Sequence, residues 1–75
     1  MPNYVTLHPH LSTDDLERRH RSAHEPHERS WWQILWLLSH GQSARQVARS
    51  TGYSPYWTGQ LVKRYNAEGP DGMRN

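Results

Sequence analysis

The chain has 75 residues, a formal net charge of +2 and no cysteine. A chain of this length forms one small domain with little room for an enzyme cleft, and the lack of cysteine excludes disulfide bonds and cysteine-ligated zinc sites. No apolar run approaches the roughly 20 residues of a membrane span, and the N-terminus lacks the layout of a signal peptide. These features predict a soluble, intracellular protein.

The first part of the chain predicts an arm followed by one helix. Residues 1–11 contain two prolines and show no helical period, which is typical of a flexible arm. A helix is predicted over residues 13–24, because Ser12 can cap its first turn and the acids that follow favour the positive end of the helix dipole. Its apolar stripe is thin, so this helix has to pack on a neighbour to be stable.

The second predicted helix is apolar on more than one side. It begins at Pro26, since proline is favoured at the first helical position, and Gly41 closes it after about Ser39. One apolar stripe is expected to pack on the segment that follows, and a second on the helix at residues 13–24. The first stripe contains Trp31, Ile34, Leu35 and Leu38, and the second contains Trp32 and Trp36. An alternative leaves the tryptophan stripe open as a dimer surface.

Residues 43–66 show the pattern of a helix-turn-helix. Ser43 and Gln46 have the spacing of a capping box, so one helix is predicted to begin at Ala44. Gly52 can take a positive φ at a tight bend, and Pro55 after a serine opens a second helix over residues 55–66. Apolar spacing predicts a seam between these helices, formed by Val47, Ala48, Trp57, Thr58, Leu61 and Tyr65.

Positive charge is concentrated around this motif. Residues 1–28 hold three arginines and five acids, and residues 68–75 hold one arginine and two acids. Residues 29–67 hold five cations and no acid. A surface that only maintains solubility usually mixes both signs, so this separation favours an anionic partner.

The outward side of the second motif helix carries the residue types that read a DNA groove. Amides pair with adenine, arginine pairs with guanine, and lysine binds phosphate. We predict contacts to base edges from Tyr56, Gln60 and Arg64. We predict contacts to phosphates from Ser43, Arg45, Arg49, Ser54 and Lys63.

No metal site and no catalytic site are predicted. His20 and His24 lie four residues apart with His27 nearby, a spacing that can hold a metal, but no acidic or cysteine ligand occupies a matching position. Each serine or threonine is explained by capping or by the turn, and no arrangement of serine, histidine and acid is suggested by spacing.

Several short motifs follow one another along residues 11–72. They are Leu11-Ser12 with Leu16-Glu17, Ser30-x-Trp32-Gln33-Ile34 with Leu37-Leu38 and Gly41, Val47-Ala48, Thr51-Gly52-Tyr53-Ser54, and Arg64-Tyr65-Asn66 ending in Glu68-Gly69. With these motifs the chain resembles the N-terminal DNA-binding region of bacterial insertion-sequence transposases of the 630 group, in the mariner superfamily. The resemblance implies a homeodomain-like fold that recognises the terminal inverted repeats of a mobile element.

The chain also departs from that family. The RNase H-like domain, whose three acidic residues bind two metal ions and cut DNA, is absent from these 75 residues, so we expect no cleavage. Thr58 stands where the family more often has valine or isoleucine, and His20 stands where it usually has an aromatic residue. Both changes are expected to reduce the apolar contacts within the domain.

The sequence thus predicts an all-α, homeodomain-like domain of four short helices over residues 12–67, with a tail at residues 68–75. The predicted function is sequence-specific binding of double-stranded DNA, without enzymatic activity or a cofactor, in the cytoplasm at the nucleoid. The alternative is a protein-interaction or dimerisation module, a transposase remnant whose tryptophan-rich helix forms a homodimer and whose DNA binding is weak or lost.

Overall fold

The computed structural model describes residues 6–74 and has four α-helices followed by one 3-10 helix in that range. The helices are α1 (Thr13–Ser22), α2 (Pro26–Ser39), α3 (Ala44–Thr51), α4 (Pro55–Glu68) and the 3-10 helix η1 (Gly69–Met73). The described residues contain no strand, so the all-α prediction is confirmed. None of the helices in this range is both long enough and apolar enough to cross a membrane.

Side-chain caps fix where the four α-helices begin. The serine hydroxyls of Ser12, Ser43 and Ser54 accept hydrogen bonds from backbone N–H groups in the first turns of α1, α3 and α4. The carboxylate of Glu25 does the same for α2, accepting from the N–H of Glu28 at 2.7 Å. These bonds satisfy donors that have no partner inside the helix, which is why the predicted starts agree with the observed ones.

Helix α2 lies between two partners, as its two stripes predict. Ile34 and Leu35 are fully buried, and the ring of Trp31 lies 6.2 Å from the ring of Trp57 in α4. The second stripe packs on α1, where the Arg19 guanidinium lies 5.4 Å above the Trp32 ring. In the described structure, α1 therefore covers the stripe formed by Trp32 and Trp36.

The two departures from the transposase pattern, His20 and Thr58, are both accommodated by contacts within the domain. His20 stacks on Trp36 with ring centroids 5.7 Å apart, so the imidazole fills the place of an aromatic ring. Thr58 is fully buried, and its hydroxyl donates to the Ser54 carbonyl at 3.1 Å. Because that hydroxyl is satisfied, its burial in the α3–α4 seam carries little penalty.

The packed domain extends beyond residues 12–67 at both ends. Of the predicted arm, residues 1–5 lie outside the described part of the chain, while Leu7 and Leu11 pack against the core. The Asn66 side chain holds the neighbouring backbone, accepting from the His8 N–H at 2.7 Å and donating to the Thr6 carbonyl at 3.0 Å. Residues 6–11 therefore lie against the end of α4.

The predicted tail also joins the core. Gly69 has a φ of +71°, which ends α4 two residues later than predicted and turns the chain into η1. Met73 is then 1 % exposed within the hydrophobic cluster. Of residues 68–75, all but Asn75 are described, and the turn at Gly69 brings them back onto the domain.

We expect Gly52→Ala to lower the free energy of unfolding by about 1–2 kcal/mol, the usual cost of holding an L-residue in the left-handed region. Gly52 ends α3 with a φ of +83°, and an added Cβ would meet no described atom within 4 Å. The loss would therefore come from backbone strain alone. Urea-induced unfolding followed by circular dichroism measures it.

Gly59→Ala is the matched control for this substitution. Gly59 has equally open surroundings but lies inside α4 without a positive φ. Equal destabilisation by the two variants would contradict the explanation from strain.

Candidate nucleic-acid interface

The outward side of α4 carries exposed and half-exposed side chains. Thr58, Leu61, Val62 and Tyr65 are buried on the inner side of this helix. Three- and four-residue spacing then places Tyr56, Gln60 and Lys63 together on the opposite side. The large hydrophobic side chain of Tyr56 is 76 % exposed. Lys63 is exposed, and Gln60 beside it is half-exposed.

Helix α3 adds two cations to the same unit. Val47 and Ala48 are buried toward the core, so the helical period turns Arg45 and Arg49 to solvent, where both are exposed. They lie four residues apart and thus next to each other on the helix surface. Ser50, also exposed, follows Arg49, and its hydroxyl adds a donor that the charge pattern alone does not indicate.

The cations of α1 are engaged within the domain. Arg18 pairs with Asp15, and the Arg21 Nη2 lies 2.7 Å from a carboxylate oxygen of Glu17. A hydrogen bond from the Ser12 hydroxyl and the pairing with Arg18 lower the pKa of Asp15. The carboxylates of Asp15 and Glu17 thus pair with Arg18 and Arg21, while Arg19 lies over the Trp32 ring.

The cations on the outer sides of α3 and α4 behave differently. The side chains of Arg45, Arg49 and Lys63 have no hydrogen-bond or ion-pair partner within residues 6–74. No acid is present between residues 29 and 67 to neutralise them. These three unpaired cations are among the residues that the sequence predicts to contact phosphates.

Arg64, predicted to contact a base edge, is held by its own domain instead. Its guanidinium lies 5.7 Å from the Trp31 ring centroid, its Nη2 donates to the Arg74 carbonyl at 3.3 Å, and its Nε lies 3.9 Å from a Glu68 carboxylate oxygen. Arg64 lies at the edge of the outward side of α4, next to the part of this helix that faces Trp31 of α2. These contacts direct it toward α2 and η1, away from Tyr56 and Gln60.

The two serines that are predicted to contact phosphates differ in exposure. Ser43 is 1 % exposed, and its hydroxyl and backbone N–H are both used in the capping box with Gln46, at 3.2 and 2.8 Å. Burial therefore removes Ser43 from the set of phosphate ligands. Ser54 is exposed at the start of α4, and its hydroxyl accepts from Trp57 while keeping its own O–H to donate.

The described histidines make several separate contacts, and the rings of His8 and His10 lie against each other with centroids 4.6 Å apart. The Nδ1 atom of His20 lies 3.2 Å from the Arg29 carbonyl oxygen, and His27 lies 3.1 Å from a Glu25 carboxylate oxygen. Residues 6–74 contain no group of three metal-ligating side chains and no pocket. The predicted site residues that remain open to solvent are Arg45 and Arg49 on α3, Ser54 at the start of α4, and Tyr56, Gln60 and Lys63 on α4.

A sequence profile of the homeodomain-like domain family matches residues 27–74, which extend from the first turn of α2 to the residue after η1. Comparisons with curated proteins and with solved structures gave no match. The matched residues make up more than half of the chain and include the whole helix-turn-helix unit, while α1 and the segment that precedes it lie outside. The chain belongs to the family of homeodomain-like domains, whose helix-turn-helix supports a role as a DNA-binding module.

Proposed function

We propose that this protein binds double-stranded DNA sequence-specifically, with α4 in the major groove and α3 across the sugar-phosphate backbone. The observation that carries the proposal is the difference between the arginines of α1, which are held by partners within the domain, and Arg45, Arg49 and Lys63, which are exposed and unpaired within residues 6–74. Unpaired cations beside an exposed recognition helix are the features that phosphate binding requires.

Each side chain of the surface has a role suited to its chemistry. Arg45 and Arg49 would bind phosphates along one strand, with Ser54 donating a hydrogen bond near the start of α4. Gln60 can pair in a bidentate manner with adenine, and the ring of Tyr56 would lie along a base edge. With three cationic phosphate contacts, the logarithm of the affinity should fall against the logarithm of salt concentration with a slope of about −3.

The sequence resemblance supports a finer proposal about the target. Its motifs extend over residues 11–72, and therefore include α1, which lies outside the matched family region. We propose that the DNA target is the terminal inverted repeat of an insertion sequence, and that this module binds such DNA without cutting it. The dimerisation alternative is not favoured, because α1 packs on Trp32 and Trp36 in the described structure.

Gln60→Ala is expected to relax sequence preference, because it removes the side chain proposed to pair with a base. Lys63→Ala is expected to weaken binding to all sequences alike and to reduce the salt slope by about one unit. The measurement is selection from a randomised pool of duplexes, followed by salt titration of the preferred and scrambled duplexes.

The two α4 variants act as controls for each other, since both remove an outward side chain from the same helix. A wild-type salt slope near zero, or an unchanged sequence preference in Gln60→Ala, would contradict the proposed roles.

A further inference from the structure

Gly59 stands in the middle of α4, at a position where glycine weakens the helix. α4 runs from Pro55 to Glu68, and glycine inside a helix loses more backbone freedom on folding than any other residue. A glycine at such a position is therefore expected to serve a purpose that a larger residue could not. Either the fold requires the absence of a side chain there, or a molecule that the helix binds requires it.

The fold provides a reason for each of the other four glycines. Gly41, Gly52 and Gly69 have φ values of +94°, +83° and +71°, which side-chain-bearing residues rarely adopt. At Gly72 an added Cβ would lie 2.9 Å from the Cβ of Glu68. Gly59 has no positive φ, and a Cβ built there meets no described atom within 4 Å.

The position of Gly59 indicates what the open space is for. Gly59 follows Tyr56 by three residues and precedes Lys63 by four, so it borders the outward side of α4. It lies at the flank of that side, next to the half-exposed Gln60. In a helix seated in the major groove, the central side chains face base edges and the flanks face the sugar-phosphate walls.

We propose that Gly59 is a positioning residue for DNA, whose missing side chain lets one sugar-phosphate backbone lie directly against the backbone of α4. This inference rests on the proposed function and adds a contact that carries no charge and no hydrogen bond. Close approach at Gly59 sets how deeply α4 enters the groove, and therefore whether Tyr56 and Gln60 reach the bases.

The test compares wild type, Gly59→Ala and Gly59→Leu in free stability and in affinity for the preferred and a scrambled duplex. Alanine and leucine are both strong helix formers, so the two variants share any change in helix rigidity and differ in side-chain volume. We expect Gly59→Ala to raise Tm of the free protein by about 3–8 °C. We expect affinity for both duplexes to fall at least tenfold with alanine and further with leucine.

Each other result is informative. A lower Tm in Gly59→Ala would show that the fold itself needs the glycine, and unchanged affinity would show that DNA does not approach there; either result overturns the inference while the proposed function stands. A loss confined to the preferred duplex would assign Gly59 to a base edge and overturn the sugar-phosphate contact. A wild-type protein that binds no duplex would overturn the proposed function itself, and the inference with it.

Discussion

Replacing Trp31 with alanine is expected to lower the free energy of unfolding by about 3–5 kcal/mol, the range for truncating a buried aromatic residue. Trp31 is 6 % exposed and contacts α4 at two places. Its ring contacts Trp57 at the start of α4, and the Arg64 guanidinium lies over it near the end of the same helix. A domain of this size has about 4–11 kcal/mol of stability in total, so a large share of it would be lost.

Tyr56→Ala is the matched control, because it truncates an aromatic residue that is 76 % exposed. Its effect on stability should stay within about 0.5 kcal/mol. Chemical unfolding followed by circular dichroism compares the two variants directly. Similar losses from both would mean that Trp31 does not hold α2 against α4 as described.

Replacing Arg45 and Arg49 together with glutamine is expected to weaken DNA binding on the order of 100-fold at 50 mM salt, because two of three cationic phosphate contacts are removed. The salt dependence should change with it. Between 50 and 200 mM salt, the wild-type affinity should fall about 40-fold and the double-variant affinity about 4-fold. Titration of a labelled duplex at several salt concentrations measures both quantities.

The double variant Arg18→Gln, Arg21→Gln gives the control. It changes the net charge by the same amount, but it removes cations that are already paired with Asp15 and Glu17. Its salt slope should equal that of the wild type, since the slope counts the phosphates that are contacted rather than the total charge. If both double variants lose affinity equally, net charge drives binding and the assigned surface is wrong.

Local signals explain why so much of the helical fold could be predicted from sequence. A serine cap, a proline at the first helical position and a glycine after the last turn each act within a few residues, so α3 and α4 begin where Ser43 and Ser54 indicate. The two stripes of α2 follow from helical period alone. Their partners could be inferred because α1 is too weakly apolar to stand by itself.

Contacts between distant residues could not be predicted in this way. Asn66 is a residue type common at helix ends, yet its side chain forms hydrogen bonds with the backbone about 60 positions earlier, at Thr6 and His8. Nothing near residue 66 in the sequence indicates that partner. The burial of Met73 likewise depends on the path that the chain takes after Gly69.

Two site residues show a further limit of sequence reasoning. Arg64 lies at the boundary of the outward side, where the period leaves two directions open, and Trp31 with the Arg74 carbonyl decides between them. Ser43 can serve a cap or a phosphate but not both while buried. Its spacing to Gln46 already indicates the cap, and the structure shows that this use takes the side chain out of reach.

Residues 6–8 dock on Asn66 and Arg74 docks on Arg64, so the first and last described residues both lie against the C-terminal half of α4. Asn66 is about 15 Å along α4 from Tyr56, given a rise of about 1.5 Å per residue. A label or a surface tether attached at Thr6 or Arg74 would therefore sit far from the start of α4.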